Sequence, residues 1–142
     1  EKSIKIQRVY AKDKKPIIEL ETMEDQLALM FDMPEAGAFL KYTLVDLDNM
    51  DKVMDEVIAA WYSGDVEKLN TLILTDALKE YPDLPPVYKR MFFDRNVTMT
   101  TKIEGILKTK ETYFVVIGAG HMLGDKGIVS LLKKKKFTVR QL

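Results

Sequence analysis

The sole histidine of this 142-residue sequence, His121, stands three positions after Gly118 in the run Tyr113-Phe114-Val115-Val116-Ile117-Gly118-Ala119-Gly120-His121-Met122-Leu123-Gly124. A Gly-x-x-His element of this kind lets the backbone turn sharply off an extended segment. The imidazole is then displayed at a crevice, as a metal ligand or an acid/base group. One ring nitrogen cannot hold a catalytic metal, which commonly takes three protein ligands. The other reading is a structural histidine bonded to backbone.

The same glycines suggest a rival chemistry. Gly118, Gly120 and Gly124 spell G-x-G-x-x-x-G after a β-forming run, the outline of a dinucleotide loop. That loop needs a second strand ending in an acid about 20 residues on, and Arg140-Gln141 stand there instead. A bulky histidine would also crowd a pyrophosphate. Glu21 follows Ile17 to Leu20 and either projects from a strand end near His121 or serves as a carboxylate at a helix N-terminus. Arg95-Asn96 lies in a helical stretch, where a surface arginine is the default. Asn96-Val97-Thr98 matches a glycosylation triplet, a pattern common by chance.

Around these residues the periodicity predicts an α/β fold: helix-rich, with a small, mainly parallel sheet and a C-terminal βαβ unit (strand, Gly-x-x-His turn, helix, strand). The strands are Ile17 to Leu20, Thr112 to Ile117 and Phe137 to Arg140, with a helix starting at Asp125. Ile4 to Ala11 ends a helix or a strand, and Lys12 to Pro16 is a polar connector. Thr22 and Asp25 form a capping box ahead of Met23, Leu27 and Met30. One helical stripe carries Phe39, Leu40, Leu44 and Leu47; another carries Met50, Val53, Met54, Val57, Ile58 and Trp61. Ser63-Gly64-Asp65 ends one helix and caps the next. Pro86 suits a helical first turn, and Lys133 to Lys136 places cations at a helix C-terminus. Met54, Trp61 and Met91 are expected in the core.

Composition excludes several classes. Basic and acidic residues both number 22, which argues against a general nucleic-acid or anionic-membrane binder. With no cysteine, disulfides, zinc-thiolate sites and thiol nucleophiles are excluded. No apolar run approaches the roughly 20 residues of a membrane span.

Taken together, these blocks resemble the TraB/GumN family, whose relatives include the Tiki metalloproteases. The matching residues stand in the family's order: Leu20-Glu21-Thr22 with Glu24-Asp25-Gln26, Ala60-Trp61-Tyr62-Ser63-Gly64-Asp65, Arg95-Asn96 with Met99 and Ile103, and Val115 to Gly124 with Gly127, Leu131 and Leu132. The family pattern has two Gly-x-x-His elements, and this chain holds the second. Lys135-Lys136-Phe137 departs from the pattern, which more often has a glycine before the last strand. The resemblance implies that residues 1–142 are the C-terminal part of a single domain whose N-terminal part lies upstream of Glu1. It implies an α/β domain gathering two histidines and a glutamate around a divalent metal, held weakly or not at all by this portion alone. His121 becomes a metal ligand, Glu21 a metal ligand or general base, and Arg95 a group that steadies negative charge. Gly118, Gly120 and Gly124 form the structural turn. The implied function is a metal-dependent hydrolase of peptide bonds or similar acyl linkages; the alternative is a non-catalytic peptide-binding or signalling module. By family analogy the protein is exported or at the cell surface, with a peptide or small molecule as substrate. A strand edge left bare predicts self-association.

Overall fold

A computed structural model describes residues 16–45, 47 and 50–142. The reading of Ile4 to Ala11 lies outside the described residues. The chain runs through α1 (Met23–Phe31), α2 (Ala36–Val45) and α3 (Met50–Ser63). Next, α4 (Val66–Asn70) passes through a π-helical turn (Thr71–Thr75) into α5 (Asp76–Glu80). Then α6 (Pro85–Tyr88) passes through a second π turn (Lys89–Phe93) into α7 (Asp94–Leu107). A 3-10 turn (Ala119–Met122) and α8 (Ile128–Lys134) complete it.

The helix ends follow local chemistry. Thr22 Oγ1 accepts from the Asp25 amide at 3.1 Å, and Asp25 Oδ2 accepts from the Thr22 amide at 3.0 Å. This reciprocal cap starts α1 and fixes the backbone immediately after Glu21. Gly64, at φ 70°, ends α3, and Asp65 caps α4 through the Lys68 amide at 2.9 Å. Prolines occupy the first turn of α6, where a missing N–H is harmless. At the end of α8 the Lys136 amide donates to Lys133 (2.9 Å) and the Phe137 amide to Leu132 (3.1 Å), a Schellman motif.

That motif puts Lys136 at φ 68°, where a side chain is strained. Lys136→Gly should therefore raise stability by about 1 kcal/mol, read as a higher urea midpoint. An unchanged or lower midpoint would count against strain at this turn.

The expected sheet is absent: no strand, ladder or βαβ unit occurs among the described residues. Apolar runs point to three strands, yet a strand exists only where a neighbouring backbone supplies hydrogen-bond partners. The three segments instead lie as irregular chain over a helix pair. Leu20, Ile117, Phe137 and Val139 pack against Met99 and Ile103 of α7 and Ile128 and Leu132 of α8. The rest of each segment faces out: Ile17 is 70% exposed and Phe114 73%. The βαβ helix begins at Ile128 rather than Asp125, and without a sheet the edge invoked for self-association has no counterpart among the described residues.

Two further clusters complete the interior. Ala60, Leu69, Leu74 and Leu123 form one; Tyr42, Leu84 and Val87 form the other, with Met91 against it. Met54 and Trp61, expected in the core, are exposed. So are Met23, Leu27 and Met30 of α1 and Phe39, Leu40 and Leu44 of α2. The helical period located these apolar faces correctly, but it carries no information on what covers them.

Candidate functional site

Three separate stretches meet at the N-terminal half of α7. Glu21, placed just before the α1 cap, reaches across the fold to Arg95. The Arg95 Nε and Nη2 each donate to one Glu21 carboxylate oxygen at 2.6 Å. This fork-to-fork geometry is the strong form of the pair. A third bond, from Arg95 Nη1 to the Met91 carbonyl at 2.8 Å, ties the guanidinium to the π turn that leads into α7. Only 12% of the Glu21 side chain and 23% of the Arg95 side chain is exposed.

His121 enters from the 3-10 turn, its amide bonded to the Gly118 carbonyl at 3.0 Å. Its Nδ1 lies 2.7 Å from Asn96 Oδ1, and no hydrogen bond engages Nε2 among the described residues. Phe92, from the π turn, lies against the ring with centroids 5.2 Å apart. The turn glycines have different jobs. Gly124 sits at φ 69° and needs glycine for its backbone, whereas at Gly120 a Cβ would press on the Phe92 ring at 2.9 Å. Gly118 has an ordinary extended backbone (φ −63°, ψ 140°) and requires neither.

Electrostatically the three side chains act as one group. The hydrogen bonds from Arg95 hold the Glu21 carboxyl below its ordinary range, against the opposing effect of burial. Burial, and then the Arg95 guanidinium, lower the His121 value, and the Glu21 carboxylate only partly offsets them. At neutral pH the site therefore holds a carboxylate, a guanidinium and an uncharged imidazole.

A stability consequence follows. Both groups bind protons less readily folded than unfolded, so stability falls as pH falls. The His121 contribution is complete above the unfolded value of 6.5 and is lost as pH drops from there through the lower folded value. The Glu21 contribution is complete above 4.5 and is lost below it. Because His121 is the sole histidine, urea midpoints between pH 7 and 5 should decline in the parent protein and flatten in His121→Ala. Parallel declines would remove the assignment.

The donor set does not by itself fit a metal. His121 offers Nε2, but both Glu21 oxygens are engaged by Arg95, and three protein ligands are the common minimum for a catalytic site. No cluster of three or more His, Cys, Asp or Glu occurs among the described residues. A groove lined by Leu78, Pro85, Phe93, Val97, Lys126 and Leu131 includes none of the three side chains.

Sequence reasoning sets Glu21 near His121 as a strand-end reading and adds Arg95 only through family likeness; the fold brings all three together, though without the strands. It missed Asn96, which is 1% exposed with its amide nitrogen on the Lys126 carbonyl at 2.9 Å. The signal was present: Asn96 shares the α7 stripe of Met99 and Ile103, an unusual place for a polar residue unless it is bonded. Its burial also removes the glycosylation triplet from consideration in the folded protein.

A family model described as the TraB/PrgY/gumN family matches residues 4–141. A "Metalloprotease TIKI homolog" of Amphimedon queenslandica is 30% identical over 82 residues, 56% of this chain and 13% of that protein. The "Uncharacterized protein YbaP" of Escherichia coli K12 is 24% identical over 120 residues, 84% of this chain and 42% of that protein; the Shigella flexneri YbaP gives the same figures. The chain thus spans less than half the length of the curated relatives it matches. No solved structure matches it.

Proposed function

The chain belongs to the TraB/PrgY/gumN family, and on that premise we propose that it forms part of a peptidase-like hydrolase whose reaction centre includes Glu21, Arg95 and His121. The observation that carries this reading is their convergence: residues 74 and 26 positions apart in the chain meet through a forked ion pair and an uncharged imidazole. Similarity to a protein named as a metalloprotease supports the reaction class.

In this reading the chain is the later part of one domain, and the remaining metal ligands come from upstream of Glu1. His121 Nε2 is this chain's contribution to the ligand set. A divalent metal there would supply an acidified water. Arg95 steadies negative charge developing on the substrate. A carboxylate held low by a guanidinium is a poor base. As Arg95 turns toward that negative charge, a Glu21 oxygen is released and becomes basic enough to take a proton.

One observation favours a second reading, a non-catalytic peptide-binding module: both Glu21 oxygens are spent on Arg95, which serves rigidity rather than proton transfer. The test uses the protein extended through its upstream sequence, assayed on a peptide library with added Zn²⁺ or Mn²⁺. His121→Ala should lose at least about 100-fold in turnover together with metal affinity. Equal turnover and affinity in the variant would reject the hydrolase centre, and peptide binding without turnover in the parent would select the module.

A further inference from the structure

Two polar side chains are buried among the described residues, Asn96 and Thr100, each 1% exposed. The Thr100 hydroxyl has no partner among the described residues, whereas Asn96 is bonded at both ends of its amide. The Lys126 oxygen that faces Asn96 is a backbone carbonyl and can only accept. The Asn96 NH2 must therefore point at it, and Oδ1 is left as an acceptor toward His121. What lies 2.7 Å from that acceptor is Nδ1. An uncharged imidazole bonds there only as Nδ1–H, which leaves Nε2 with its lone pair.

The Lys126 carbonyl is held by a closed turn. The Gly127 amide donates to the Gly124 carbonyl at 3.1 Å, closing a tight turn around Lys126. Asp125 and Lys126 make the turn, Gly124 leads into it at φ 69°, and Gly127 is packed against the Met122 and Leu123 carbonyls. Phe92 closes the other side of the ring.

We propose that Asn96 is a positioning residue that sets His121 as the Nδ1–H tautomer, so that Nε2 presents an unprotonated lone pair to the site. The use made of that lone pair rests on the hydrolase reading; the tautomer does not. A carboxamide suits the task better than a carboxylate, because it orients the ring while stabilising the imidazolium far less than a negative charge would.

The sole histidine makes the test direct. The chain is labelled with 15N-histidine and two-bond proton–nitrogen correlations are recorded at pH 8, without metal or substrate. The parent should show one protonated nitrogen, Nδ1, and one unprotonated nitrogen, Nε2. Asn96→Ala should lose this single form and populate Nε2–H, while Asn96→Asp, which keeps an acceptor against Nδ1, should retain it. An Nε2–H parent would overturn the proposal, as would an Asn96→Ala protein that stays wholly Nδ1–H. If Asn96→Ala does not fold, the parent spectrum and Asn96→Asp decide between the same outcomes. Absence of hydrolysis alongside an Nδ1–H parent would defeat the hydrolase reading and leave this inference standing. Where metal binds the extended protein, Asn96→Ala should also lower its affinity about 10- to 100-fold.

Discussion

Arg95→Ala should cost about 2–3 kcal/mol of folding stability, a fall in Tm of roughly 10 °C for a chain of this size. The loss comes less from the attraction removed than from the charge stranded. Without the guanidinium, Glu21 is a carboxylate only 12% exposed, with neither oxygen bonded. Breaking one side of a fully buried pair costs more, and the partial exposure here lowers the figure. If stranding is the cause, adding Glu21→Gln to Arg95→Ala should recover over half of the loss, since an amide tolerates burial better than a charge. Arg95→Lys should remain destabilised by about 1 kcal/mol, because an ammonium cannot reproduce the fork that engages both oxygens. Thermal and urea unfolding of the four proteins gives the comparison. A double variant as unstable as Arg95→Ala alone would show that Arg95 acts through its packing and its Met91 bond instead.

Gly127→Ala should be as damaging, at about 3 kcal/mol, for a purely steric reason. Gly127 has an ordinary backbone (φ −74°, ψ 156°), so no conformational freedom is needed. A Cβ there would instead overlap the Leu123 carbonyl and sit 2.6 Å from that of Met122. Backbone cannot step aside as a flexible side chain does, so the turn must shift. Its movement would carry away the Lys126 carbonyl that anchors Asn96, and the His121 ring should lose its fixed orientation in the same variant. Gly105 makes the contrast. It lies inside α7 with nothing within 4 Å of the missing Cβ. Gly105→Ala should stabilise by about 0.5–1 kcal/mol, since alanine loses less chain entropy in a helix. Similar changes in Tm for both substitutions would contradict the steric account.

The dominant features that the sequence misplaced are large and apolar. The stripe Met50, Val53, Met54, Ile58 and Trp61 forms on α3 at the expected period and is exposed throughout; of α3 only Ala60 is buried, with Val57 half-buried beside it. The β-forming run Tyr113 to Ile117 likewise sends only Ile117 into the core. In each case the residues announce a preference for an apolar or paired environment, and the environment depends on chain elsewhere.

What the sequence determined by itself is what is settled within about one helical turn. The Thr22–Asp25 box, the Gly64–Asp65 stop and start and the prolines at the head of α6 are each settled within a few neighbouring residues. Local composition therefore suffices to place them. The Gly-x-x-His element and the family membership were also legible, because they are matters of residue type and order. Tertiary structure alone decided the rest. Whether an extended run becomes a strand depends on a neighbour's backbone, and among the described residues none is paired. Whether Glu21 is free or forked depends on an arginine 74 positions away. The role of Asn96 depends on a carbonyl 30 positions away and an imidazole 25 away. Such bonds have no local signature, since their donors and acceptors become neighbours only when the chain has packed.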